Sequence, residues 1–178
     1  QQDDMDLAAE AASAVDPENG VADTGEALQG ARDIMAEWVS EDAAARAQIR
    51  GLFWTKGAIT AKLSQGKEDE AAKYRDYFDW QEPLSQAPSH RVLAMLRGEK
   101  ESMLSLHVLP PEDEAVAELE GLFVTGSNDC SQQVSLAVQD SYKRLLGPSL
   151  ETEARNEAKT RADEVATRVF ADNLRQLP

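Results

Sequence analysis

The sequence predicts a mainly α protein: a multi-helix, bundle-like domain with at most a small two-stranded β ribbon. Apolar residues recur at three- and four-residue spacing through most of the 178 residues. Capping and breaking residues fall where those runs begin and end. Strict alternation of the strand kind stands out once, in "SMLSLHVL" at 102–109. With 42% apolar content, a chain of this length buries a core without disulfide or metal staples.

The elements follow in order. "QQDDMDLAAEAASAV" is rich in helix formers and stops at Asp16-Pro17, with Asn19-Gly20 as a turn signal. Asp23 and Glu26 form a capping box that opens a second helix, whose stripe is Ala27, Leu28, Ala31, Ile34, Met35 and Trp38. Ser40 caps a third helix carrying Ala45, Ile49, Leu52 and Phe53 and ending at Lys56-Gly57. "AITAKLS" at 58–64 is a short strand or a loop, and "KEDEAAKYRDYF" returns to helical spacing through Ala71, Tyr74, Tyr77 and Phe78. Pro83 and Pro88 enforce a loop, Ser89 caps "HRVLAMLRGE", and that helix closes at Gly98. The strand at 103–108 then pairs with residues 58–64 and ends at Pro110-Pro111. "EDEAVAELEGLFV" and "QQVSLAVQDSYKRLL" are two more helices, the latter broken by Gly147-Pro148. Ser149 recaps a long final helix lined by Ala154, Ala158, Ala162, Val165 and Val169. The expected organisation is a three-helix part at 1–56, helices with a β ribbon at 57–111 and long helices at 112–178 packing on the rest, in one continuous domain.

The formal charge of −15 argues against a high-pI nucleic-acid module. Eight carboxylates precede the first basic residue, Arg32, and the later chain is closer to balance. A single cysteine and the lack of a secretory or membrane-length apolar run point to a reducing, cytoplasmic setting with no membrane partner.

Candidate sites are few. His90 and Arg91 sit on a first helical turn, where phosphate binding is conceivable, but no glycine-rich cradle precedes them and they read as capping or surface residues. His107 lies on the strand face opposite Leu106 and Val108, toward solvent or an edge. Two histidines and one cysteine without close spacing do not make a zinc site, so neither metal nor cofactor is expected. Cys130, capped by Asp129 or Ser127, is the one reactive-thiol candidate, but no nucleophile–base–orienter set is visible and the chain is not expected to be an enzyme. Clustered carboxylates accompany Lys and Arg at helical spacing as solvated pairs. Arg155, Lys159, Arg161, Arg168 and Arg175 form the one nucleic-acid-facing stripe, and interleaved acids nearly cancel it.

Three runs, "GVADTGEALQGARDIMAEWVSEDAAARAQIR", "KYRDYFDWQEPLSQAPSHRVLAMLRGEKE" and "LETEARNEAKTRADEVATRVFADNLRQL", together resemble the helical N-terminal half of the bacterial transcription accessory protein (Tex) family, from about residue 1 to about residue 177. The most specific parts are the run from Glu82 through "PSHR" to "RGE" and the run from "ETE" through Lys159 to "VFADNL". The resemblance implies a longer cytoplasmic protein associated with RNA or DNA and the transcription machinery. It implies that an RNase H-like domain, a helix-hairpin-helix region and an OB-fold RNA-binding domain follow this segment. The chain is then a non-catalytic helical scaffold and interaction fragment with weak or no nucleic-acid binding by itself, whose own partner is a protein. Departures from the family pattern are Ser102 where glycine is usual, Ala14 where an aromatic is common, and Val165 with Thr167 where a glutamate and an aliphatic residue are usual. With Cys130, the last three mark an alternative: an engineered binding or catalytic protein built on this scaffold.

Overall fold

The structure, a computed structural model, describes residues 5–175; the expectations for residues 1–4 and 176–178 lie outside the described residues. Among the described residues, seven α-helices and a three-stranded antiparallel sheet make the chain mainly α. The helices are α1 (Leu7–Ser13), α2 (Thr24–Glu41), α3 (Ala43–Lys56), α4 (Ser89–Lys100), α5 (Glu112–Phe123), α6 (Asp129–Ser141) and α7 (Gly147–Arg175). The strands are β1 (Ala58–Leu63), β2 (Asp79–Pro83) and β3 (Leu104–Leu109), in the order β2-β1-β3.

The chain divides into two compact units, Gln1–Ile49 with Glu112–Ser149, and Arg50–Pro111 with Leu150–Pro178. Within the first, α2 packs on α6, α5 on α6 and α1 on α2. Asp23 opens α2 by accepting from Glu26 N at 2.9 Å, while the Glu26 carboxylate reaches back to Ala22 N at 2.6 Å. The buried face of α2 is turned from the expected stripe. Ala36 and Val39 are buried, whereas Ile34 and Trp38 are 51% and 67% exposed. The small Ala36 lets α6 approach, and Ser141, fully buried on α6, donates its hydroxyl proton to Ala36 O at 2.7 Å. Asp42, and not Ser40, caps α3 by accepting from Ala45 N; the Ser40 hydroxyl donates to Glu37 O instead.

In the second unit, β1 is central. Ile59, Ala61 and Leu63 face Val108, Leu106 and Leu104 across the β1–β3 ladder, and β3 alternates between buried and exposed side chains as its period-two pattern requires. The ribbon expected at 58–64 with 103–108 is present. The third strand, β2, ends where Pro83 is expected to begin a loop. Pro83 sits at the last position of an edge strand, where a missing N–H costs no ladder bond. Residues Ala72–Tyr77 form a 3-10 helix in place of an α turn, burying Tyr74. No side-chain cap opens α4, whose N-cap is Pro88, and the helix runs through Gly98 to Lys100.

At Gly147-Pro148 the helical path continues. Tyr142–Leu146 adopts a π turn, the wide register in which a proline at 148 can be carried without an amide proton. Along α7, Leu150, Ala154, Ala158 and Ala162 are buried, and the stripe then emerges: Val165 and Val169 are 45% and 54% exposed, contrary to the expected interior placement.

Candidate functional site

Glu82 is the second unit's most demanding residue. Its pairing with Ile59 places it on the inner face of the sheet, where its side chain is only 11% exposed, so the carboxylate needs partners. Arg91, from the first full turn of α4, supplies them bidentately, with Nε and Nη2 donating to the two Glu82 oxygens at 3.0 and 2.8 Å. Trp80 Nε1 donates to Glu82 at 3.1 Å, and the Arg91 guanidinium lies 5.3 Å from the Trp80 ring centre. This triad gives the "PSHR" arginine a structural task. His90 points away from it into a shallow surface depression with Lys73, Tyr74 and Arg97.

The "RGE" segment is equally occupied. A Cβ on Gly98 would lie 2.6 Å from Leu104 Cδ1, so any side chain there would displace buried Leu104 where α4 settles on β3. Beyond it, Ser102 N donates to Glu99 O at 2.8 Å and Met103 N to Gly98 O at 2.9 Å, the crossed bonds of a helix end whose C′ residue is left-handed. That residue is Ser102, at φ 61°, in the left-handed region that favours glycine. Glu101 holds Lys73, Arg97 and the Tyr74 hydroxyl together. Hydrogen bonds from Lys73 and then Arg97 and Tyr74 pull the Glu101 carboxyl well below its ordinary value, to about 2.

On α7, Arg155 pairs with Glu99 and donates to Leu106 O. Glu153 pairs with Arg50 at 2.9 Å. Glu151 accepts from Val108 N at 3.0 Å, with His107 Nδ1 at 3.1 Å from the same oxygen, so this carboxylate covers the outer edge of β3. His107 is exposed on that edge strand, as its alternation predicts. Of the remaining proposed nucleic-acid-facing residues, Lys159 is paired with Asp163, Arg161 with Glu157 while lying over the Trp54 ring, and Arg175 with Asp172. Arg168 makes no ion pair among the described residues and lines a shallow depression with Thr167. Thr167 also donates to Asp163 O at 2.8 Å.

The first unit contains a different kind of feature, an apolar cavity of about 450 Å³. It is lined by Met5 and Leu7, by Leu28, Ala31, Met35, Trp38 and Val39 of α2, by Phe123, and by Cys130, Gln133, Val134 and Ala137 of α6. Cys130 is buried at its wall, with Sγ 3.9 Å from Met5 O. The cap of its helix is Asn128, accepting from Ser131 N and Oγ, and neither Asp129 nor Ser127. Ala14 is the C-cap of α1 and is not among the lining residues. Sequence periodicity missed this cavity because it assigned Leu28, Met35 and Trp38 to the core; their mismatch with the buried Ala36 and Val39 leaves them around open space.

The charged residues that mark the resemblance are thus joined to one another. Residues 2–170 match the family described as Tex central region-like. The chain belongs to that family. This Tex central region is 37% identical over 178 residues to an uncharacterized protein, YdcI, of Bacillus subtilis, covering 99% of this chain and 25% of that one. It is 39% identical to the protein YhgF of Escherichia coli, covering 94% and 23%, and 36% identical to the transcriptional accessory protein Tex of Neisseria gonorrhoeae, covering 88% and 22%. The chain therefore spans about a quarter of the length of the curated relatives it matches. No helix among the described residues is long and apolar enough to cross a membrane. Nothing in the fold or in these relatives points to an engineered chain.

Proposed function

We propose that this Tex central region is a helical scaffold and interaction section of a longer transcription accessory protein, non-catalytic and with weak or no nucleic-acid binding by itself. The observation that carries this reading is the use of the family-marking charges in structural pairs, chiefly Arg91 with Glu82 and Arg155 with Glu99. A guanidinium already held bidentately by a carboxylate has little left to offer a phosphate. In this reading the full-length protein works in the cytoplasm with RNA or DNA and the transcription machinery; the Neisseria gonorrhoeae relative's name, transcriptional accessory protein, supports the link to transcription. No cofactor enters this reading.

Titration of the chain against single-stranded RNA and duplex DNA at low salt tests it. The expected result is weak binding or none. Tight binding that weakens steeply with salt and is lost in Arg168→Ala with Arg175→Ala would overturn the scaffold reading, because it would assign phosphate contacts to α7.

A further inference from the structure

The first unit's cavity is open and apolar, and the unit that holds it is strongly acidic. Along α2 its lining runs from Leu28 to Val39, about 16 Å at the helical rise, which matches three turns of a docked helix. Trp38, two-thirds exposed, and the half-exposed Ile34 extend apolar surface outward from it. The charge is lopsided to the same end. The unit's segments hold nineteen acidic and four basic side chains, a net of −15, which is the formal charge of the whole chain. All four cations are engaged: Arg32 by Gln29 and Gln133, Arg46 by Ser40 O and Ser149, Lys143 by Glu112, and Arg144 by Asp140. Asp6 stands between the lining residues Met5 and Leu7, and Asp129 beside Cys130, so carboxylates adjoin the apolar wall in sequence.

We propose that this cleft is a docking site for a basic amphipathic helix of a protein partner. Apolar side chains at three- and four-residue spacing enter between α2 and α6, and flanking Lys or Arg meet the acidic surround. A second copy docking through its own first unit is the wrong occupant, because that unit carries the same −15. The site is a property of the first unit and is separate from the question of nucleic-acid binding.

The test uses the intact chain and three fluorescent helical peptides of equal length: leucines in an amphipathic pattern with lysines, the same pattern with glutamates, and the lysine peptide scrambled to destroy its apolar stripe. Anisotropy is expected to show binding of the first, weakened by salt, with the other two weaker by about tenfold or more. Trp38→Ser, at an exposed position that leaves the core intact, and Val134→Phe, which fills the cleft without changing charge, are each expected to weaken binding by about tenfold while preserving the circular dichroism spectrum. Equal binding of the scrambled peptide would reduce the effect to bulk electrostatics and overturn the proposal. So would the absence of binding, or a dimer of the chain that Trp38→Ser dissociates.

Discussion

The second compact unit carries fourteen acidic and fourteen basic side chains, and the first carries nineteen and four. The balanced unit builds with its charges: an inward carboxylate on β2 is answered by Arg91, a helix end is gathered around Glu101, and α7 is fastened by Arg155 and Glu153. The unbalanced unit builds with small side chains, burying Ala36, Ala45, Ala115 and Ala137, and leaves larger apolar groups around an open cleft. The difference teaches that the same high charge content serves two ends. Paired charges fix geometry at little net gain in stability, whereas unpaired ones create a field that selects partners.

The largest expected effect is steric and falls where α3 meets β1. A Cβ at Gly57 would lie 2.0 Å from Phe53 O, so Gly57→Val should cost about 3 kcal/mol or more by urea unfolding. Next comes the inward pair. Arg91→Met should lower the urea midpoint clearly by stranding Glu82, and the double variant Glu82→Gln with Arg91→Met should recover much of the loss. Lys159→Ala, which breaks an exposed pair, should stay within about 0.5 kcal/mol; equal costs for the two pairs would erase the distinction between structural and solvated charge. Ser102→Gly should stabilise by about 1 kcal/mol, because the left-handed backbone there penalises a Cβ. Smallest is the acid limb of the stability curve. The folded-state carboxyl of Glu101 titrates below its ordinary value, so its contribution is present above pH 4.5 and is lost as pH falls toward about 2. The melting temperature of Glu101→Gln should accordingly approach that of the parent chain across this window, and a constant gap would assign the effect elsewhere.

Features set by near neighbours were legible in the sequence. The Asp23–Glu26 box is an i,i+3 pattern, and Leu104, Leu106 and Val108 alternate without interruption, so neither depended on distant packing. β2 is illegible because "DWQEP" turns an aromatic and a carboxylate, Trp80 and Glu82, inward and ends on a proline that only an edge position tolerates. Its key residue, Glu82, became intelligible only through the register with Ile59. The orientation of α2 is not legible because large apolar residues dominate its periodicity, while close helix approach selects the small Ala36. The cleft follows from the same geometry: Trp38, which periodicity assigns to the core, stands at an opening.

Hydrogen exchange of the intact chain, read by mass spectrometry at about 20 mM and about 0.5 M sodium chloride, tests most directly whether charge is satisfied in one unit and unsatisfied in the other, since screening over this range relieves self-repulsion between exposed like charges. Exchange in Thr24–Glu41 and Asp129–Ser141 should slow as salt rises, while Ala58–Leu63 and Leu104–Leu109 should change little or exchange slightly faster. An equal response in both units, or faster exchange at high salt in α2 and α6, would contradict this division of labour.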